Sequence, residues 1–305
     1  MLKKVKRYLQ DPYYSLGNDL IKKHPKWMSD KYYLSVLWKM VMGYEIDWKH
    51  PKTFAEKIQW LKLNDHNPLY SVLVDKYRVK QWVAERIGEK YVIPTFAFYR
   101  SVDEINMDEL PDQFVLKCNH DSGSVVICRD KALFDLDSAK RKLGEALQKN
   151  FYWEAREWPY KDVPRCIFAE EYLVPPQDSP DLPDYKWYCF NGEPVFCQVI
   201  QNRSVCETID FFDTEWKHQS FVGLSLKAEN AKRCPEHPRH LDSHISVARA
   251  LSMGIPFSRI DLFDMDEKVL FGEVTLFPGG GFGGFRPTEY DVLLGSMLQL
   301  PRQNP

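Results

Sequence analysis

The sequence predicts an α+β fold, with helices gathered toward the start of the chain and strands carrying most of the remainder. Two observations lead there. Residues 1 to about 90 repeat apolar side chains at helical spacing, and from Tyr91 the texture changes to short β-branched and aromatic runs. The later helical stretches do not alternate regularly with strands, as a doubly wound parallel sheet would require. The expected division is a helical region over 1–90 and a core over 91–305.

In order, FAEKIQWLKLND (54–65) places Ile58, Trp60 and Leu61 at helix spacing, and Thr53 followed by Glu56 forms a capping-box signature at its start. DKYRVKQWVAERIG (75–88) repeats the pattern through Tyr77, Trp82 and Val83, with Gly88 as its stop. YVIPTFAFY (91–99) and FVLKC (114–118) read as strands on either side of the helical-looking VDEINMDELPD. A polar Gly/Ser loop in CNHDSGSVVICRD (118–130) leads to another strand. FDLDSAKRKLGEALQKNFYWEAREW (134–158) reads as one long amphipathic helix capped by Asp135 or Asp137. CIFAEEYLV (166–174) is a strand ending in acids. DYKWYCFNGEPVFCQVIQN (184–202) is a hairpin turning at Asn191-Gly192. FFDTEWKH is a further strand or turn, HLDSHISVARALSMG (240–254) a helix, and a last hairpin begins at Phe257.

Composition narrows the function. With 44% hydrophobic and 14% aromatic residues, 305 residues can bury a proper core. A formal net charge of −2 gives no reason to expect nucleic acid as the partner. MLKKVKRYLQDPYY has a basic start without an apolar segment behind it, so no secretory signal is expected. YYLSVLWKMVMGY carries Lys39 and falls short of the ~20 apolar residues that span a bilayer. Weak membrane-surface association through the basic start remains compatible with the sequence. Seven cysteines at irregular spacing, with no C-x-x-C pair, point to a reducing, cytoplasmic location.

The chemistry concentrates in FSRIDLFDMDEKVLFGEVTLFPGGGFGGF (257–285). Ile260, Leu262, Val274 and Leu276 take one face of two strands, while Arg259, Asp261, Glu273 and Thr275 take the other. Asp261 and Glu273 meet if the turn is a three-residue loop over 266–268, and a two-residue loop would put them on opposite faces. The first arrangement is expected, because two carboxylates on an apolar scaffold suit a hard cation such as Mg²⁺. Lys117 ends a strand and is followed by Ser122-Gly123-Ser124, a flexible turn with the backbone amides and charge that a phosphate needs. In AEEYL (169–173), acids at a strand end followed by Leu can offer backbone groups to an adenine edge and a carboxylate to a ribose.

Together, KTFAEKIQWLKL (52–63), DKYRVKQWV (75–83), LPDQFVLKCNHDSGS (110–124), AEEYL, DYKWYCFNGEP (184–194) and the final hairpin resemble the TupA-like ATP-grasp family, named for teichuronopeptide synthesis. The resemblance implies the ATP-grasp fold, two α+β subdomains gripping ATP. It implies Lys117 and Lys186 as phosphate-binding lysines, Ser122, Gly123 and Ser124 as a loop over the triphosphate, and Glu170, Glu171 and Leu173 as the adenine hinge. Asp184 matches the ribose carboxylate, Asp261 and Glu273 the metal ligands, Arg259 the arginine that stabilises a tetrahedral intermediate, and Gly279 the glycine near the reacting carbonyl. Thr275 stands where such ligases commonly have Asn, a neutral oxygen ligand that leaves the number of bound Mg²⁺ ions open. The implied activity is carboxylate–amine ligation through an acylphosphate, using ATP and Mg²⁺. The expected substrates are a uronic acid, free or within a nucleotide- or lipid-linked surface glycan, and an amino acid or amine.

Two other functions fit parts of the chain. Asp264-Met-Asp266 and Asp135-Leu-Asp137 have the D-x-D form by which glycosyltransferases hold a metal and a sugar diphosphate, although a turn and a helix cap suit them equally. A nucleotide-binding partner without turnover is the third reading, against which Arg259, Asp261 and Glu273 speak. Cys234, His237, His240 and His244 offer a zinc-like cluster for which solvated histidines at a helix start are the better account.

Overall fold

The computed structural model describes residues 23–175, 181–201, 205–223 and 229–302. The basic opening segment lies outside the described residues. The helices are α1 (Asp30–Met42), α2 (Phe54–Asn64), α3 (Tyr70–Leu73), α4 (Arg78–Ile87), α5 (Leu136–Leu147), α6 (Tyr152–Ala155), α7 (Leu241–Ser252) and α8 (Glu289–Met297). The strands are β1 (Thr95–Tyr99), β2 (Phe114–Cys118), β3 (Val125–Cys128), β4 (Ile167–Glu171), β5 (Asp184–Phe190) and β6 (Glu193–Gln201). They continue with β7 (Thr208–Asp213), β8 (His218–Gln219), β9 (Val222–Gly223), β10 (Phe257–Asp264), β11 (Val269–Thr275) and β12 (Phe285–Arg286).

Strands β1 to β4 form an antiparallel sheet in the order β1-β4-β2-β3, with α5 packed on it. A larger antiparallel sheet runs β11-β10-β5-β6-β7-β8, and β9 pairs with β12 in a short ribbon. Helix α7 lies over β5, β6 and β10. This is the α+β architecture that the sequence implies.

The early helices are built into the larger core. Thr53 and Glu56 exchange both capping-box bonds, at 3.1 and 3.0 Å, and so fix the start of α2. Phe54 then packs edge-on against Phe257, Phe285 and Phe190, with ring centroids 4.8, 5.7 and 6.0 Å away. Helix α8 crosses the start of α2 so closely that a β-carbon on Gly295 would stand 2.2 Å from the Lys52 carbonyl oxygen.

Two local expectations need correction. The single helix expected over 134–158 is broken: α5 ends at Leu147, and the Asn150 side chain accepts from the Tyr152 amide (3.1 Å) and donates to the Lys161 carbonyl (2.8 Å). Asn competes for backbone partners in this way, which favours caps and turns over helix interiors. Asp135 is the cap of α5, accepting from the Ser138 amide at 2.9 Å. VDEINMDELPD forms two short 3₁₀ turns, at Val102–Glu104 and Met107–Glu109. The hairpin at Asn191-Gly192 is as expected, both residues lying at positive φ, 53° and 88°.

The second correction concerns the β10–β11 turn. Met265 donates its amide to the Lys268 carbonyl at 2.9 Å, leaving Asp266 and Glu267 as a two-residue loop. By itself this would separate Asp261 and Glu273. Between Leu262↔Phe271 and Asp261↔Glu273, however, the register shifts, and Gly272 is the extra residue of a β-bulge. The carboxylates meet through the bulge, not through the loop length.

Candidate active site

The polar face of β10 and β11, with the start of β5, carries alternating charges. Arg259 donates to Asp261 through Nε (2.6 Å) and Nη2 (2.7 Å), and to Glu273 Oε1 through Nη2 (3.1 Å). Lys186, opposite Asp261 in the sheet, bonds to its carboxylate and lies 2.8 Å from Asp184. Thr275 donates its hydroxyl to Glu273 Oε1 at 3.2 Å. Arg259, Lys186, Asp184, Asp261, Glu273 and Thr275 therefore form one network.

The smaller sheet carries a second ionic cluster. Lys117 on β2 and Glu170 on β4 form one ion pair, and Lys80 of α4 reaches the other oxygen of Glu170 at 2.7 Å. Glu170 thus turns its side chain between two lysines. The Glu171 amide already donates to the Pro94 carbonyl at 3.0 Å, and Leu173 lies beyond the strand end. In the loop after β2, Ser122 and Gly123 are exposed, whereas Ser124 is buried and bonds to Asp121. Asn119 pins the loop's base, its side chain accepting from the Cys166 amide and donating to the Pro164 carbonyl, both at 2.9 Å.

Sequence reasoning assigned no role to Lys76, which joins the two sheets. Its Nζ donates to the Asp121 carbonyl (2.6 Å) and lies 3.5 Å from Glu273 Oε2. Lys76 sits in the turn that leads into α4, and nothing in the spacing of DKYRVK sets it apart. Asp75 fixes the entry by accepting from the Tyr77 and Arg78 amides, both at 3.0 Å.

Burial pushes the Asp261 carboxyl up, against the pull of Arg259 and Lys186. It acts the same way on Glu273, but Lys76, Lys186 and Arg259 outweigh it and hold that carboxyl well below the usual carboxylate range. Glu170 is likewise lowered, because Lys117 and Lys80 overcome its burial. Glu273 and Glu170 are thus held in the charged form by the cations beside them, the form in which a carboxylate can serve as an oxygen ligand.

After β11, Gly279, Gly280 and Gly281 all take positive φ, at 59°, 61° and 68°. A β-carbon on Gly281 would stand 2.8 Å from both Gln59 and Ile58 of α2. Gln59 donates to the Gly280 and Gly281 carbonyls at 3.1 and 2.9 Å, and Lys62 also donates to Gly280. Gly279 is exposed at the start of this turn.

The remaining acidic and histidine motifs are otherwise engaged. Asp264 accepts from the Arg239 amide (2.6 Å) and pairs with His240 (2.8 Å), while Asp266 pairs with Arg239 (2.7 Å). Trp187 donates to His244 at 3.2 Å. Among the described residues, no three His, Cys, Asp or Glu side chains converge as a metal cage.

The TupA-like ATPgrasp family matches residues 56–299. The chain belongs to the TupA-like ATP-grasp family. Solved structures similar to this family member include the D-alanine–D-alanine ligase from Bacillus anthracis complexed with ATP, at 17% identity and a TM-score of 0.38, covering 68% of this chain and 55% of that one. The D-alanine–D-alanine ligase from Helicobacter pylori is similar at 12% identity and a TM-score of 0.41, covering 80% and 69%. A RimK domain ATP-grasp protein from Sphaerobacter thermophilus is similar at 10% identity and a TM-score of 0.39, covering 69% and 61%. The chain thus spans 55% of the length of the Bacillus ligase. No curated protein matches it in sequence.

For a member of the TupA-like ATP-grasp family, the donor set on β10 and β11 fits Mg²⁺. Two carboxylates and a hydroxyl are hard oxygen ligands, and an incomplete protein shell suits an ion that keeps waters and takes phosphate oxygens. Among the described residues, no helix is long and apolar enough to cross a membrane.

Proposed function

We propose that the protein is an ATP-dependent carboxylate–amine ligase. The observation that carries this reading is the interleaving of Arg259, Lys186 and Lys76 with Asp261, Glu273 and Asp184 on one face, in a chain of the TupA-like ATP-grasp family. Asp261, Glu273 and Thr275 would hold Mg²⁺, which when bound neutralises phosphate charge. Lys117 and Lys80 would exchange Glu170 for phosphate oxygens of ATP, with Ser122, Gly123 and Ser124 closing over them. Glu171, Leu173 and Asp184 would meet the nucleoside. Lys186 and Arg259 would face the transferring phosphoryl group and the tetrahedral centre formed after it, with Gly279 beside the reacting carbonyl. The chain's contribution is positioning and charge neutralisation. The γ-phosphoryl passes to a substrate carboxylate, and an amine displaces phosphate from the acylphosphate to leave an amide.

For the carboxylate we propose a uronic acid of a surface polysaccharide or its precursor, joined to an amino acid or amine. The family resemblance supports this. So does a cavity of about 760 Å³ whose lining includes Trp48, Trp60, Lys31 and Lys49, aromatic and cationic residue types that suit an anionic sugar. Thermal unfolding with Mg²⁺ and ATP, set against Mg²⁺ and UDP-sugars, tests the reading. Saturation at 100 times Kd adds about 2.7 kcal/mol. ATP should stabilise the protein; stabilisation by a UDP-sugar alone would transfer it to the glycosyltransferases.

A further inference from the structure

Lys62 and Glu157 are buried charges outside the two ionic networks described above. Lys62 of α2 is 2% exposed, and Glu157, just before the turn Trp158–Tyr160, is 6% exposed. Burying a charge is costly unless it is paired and hydrogen-bonded. Lys62 has its bonds: Nζ donates to the Gly280 carbonyl and, at 2.9 Å, to the Ala155 carbonyl, and it lies 5.1 Å from the centre of the Phe282 ring. Glu157 differs. Among the described residues its carboxylate makes no hydrogen bond and no ion pair, and the charges acting on it do so through space: Lys62 of α2, Lys76, and the like charge of Glu154 in α6.

The position of Glu157 suggests a use for it. Its Oε1 lies 3.6 Å from where a β-carbon on Gly280 would stand, so a carboxylate abuts the glycine turn that continues from Glu273 and Thr275. Tyr160, three residues on, feels the charges of Glu157, Glu273, Arg259 and Asp121, which puts Glu157 next to the ionic face and not in a remote part of the core. An amine reaches such a site at neutral pH as an ammonium ion, without the lone pair that must attack carbon. The ligation proposed above therefore needs a proton acceptor, and none of the carboxylates bonded to Arg259, Lys186, Lys117 or Lys80 is free to be one.

We propose that Glu157 is that acceptor, a catalytic base for the amine substrate, set beside the glycine turn that Lys62 holds in place. The inference rests on the ligase reading. Glu157 takes one proton from R–NH₃⁺, giving R–NH₂. The amine nitrogen then forms the C–N bond to the acyl carbon as the C–O bond to phosphate breaks. The electron pair leaves on phosphate, which takes the second amine proton and departs as HPO₄²⁻. Burial, opposed by Lys62, holds the Glu157 carboxyl above the usual carboxylate range, which suits a group that must accept a proton near neutral pH.

Hydroxylamine separates this role from a structural one, because its nitrogen is already unprotonated at neutral pH. D-glucuronic acid, D-galacturonic acid and UDP-glucuronic acid would be offered with Mg²⁺ and ATP, and with either hydroxylamine or an L-amino acid panel. Glu157→Gln should lower amide formation about 100-fold or more, with hydroxamate formation falling far less. Glu157→Asp should restore part of the amide rate. In the ligand-free protein, the infrared band of a protonated carboxyl that disappears in Glu157→Gln should arise well above the pH at which ordinary carboxylates titrate. Amide and hydroxamate falling together, or neither falling, would overturn the assignment of Glu157 alone. No hydroxamate from the unmodified protein with any of the three acids would overturn the ligase reading and this inference with it.

Discussion

Glu273 meets Arg259, Thr275 and Lys76 at once, and Lys76, Lys186 and Arg259 are what lower its pKa against burial. Glu273→Gln keeps the shape and removes the charge. Turnover should fall about 100-fold or more, while the thermal shift with ATP persists, since Lys117, Lys80 and the loop amides remain. Equal activity in the variant would remove the metal site. At this scale much was legible in the sequence, because period-2 alternation alone puts Arg259, Asp261, Glu273 and Thr275 on one face. Lys76 was not, since its partners Asp121 and Glu273 lie 45 and 197 residues further along the chain, as their numbers show. Glu157 was hidden within what reads as a continuous helix until Asn150 breaks it.

Among the elements, the β10–β11 hairpin shows why a correct pairing can follow from an incorrect loop. Loop length and bulge both set register, and only the loop leaves a strong trace in sequence. Beyond the bulge, the same strand ends in Asp264, which ties β10 to α7 through His240 and the Arg239 amide. Burial would raise the Asp264 carboxyl, but His244, His240 and that amide bring it down to about 2. A carboxyl with a depressed folded pKa stabilises the fold above its unfolded value of about 3.9 and loses that contribution as pH falls. For Asp264 the loss runs down through about 2. Asp264→Asn should be less stable than the unmodified protein at neutral pH, and chemical denaturation at stepped pH should find the gap closing across this acid range. A gap constant with pH would contradict the linkage.

Over the whole molecule, α2 is shared between the aromatic core and the glycine turn: Phe54 enters the former, while Gln59 and Lys62 hold the latter. Helix α8 locks this arrangement through Gly295. Gly295→Ala would drive a methyl group into the Lys52 carbonyl and should destabilise the protein by about 1–3 kcal/mol, read as a lower urea midpoint. An unchanged midpoint would mean that α8 can shift freely. The α+β class was legible because helical and strand periodicities occupy different stretches; the docking of the helices was not, because close approach at a glycine leaves no side chain to read.

The charges on the β5–β10–β11 face have a consequence for how ligands would load. Lys76, Lys186 and Arg259 balance Asp184, Asp261 and Glu273, so the resting face behaves like a neutral ion exchanger. A metal taking the carboxylates alone would strand the cations, and a nucleotide taking the cations alone would strand the carboxylates. Arriving together, they trade one full set of partners for another. Each then raises the other's affinity, and by the same factor.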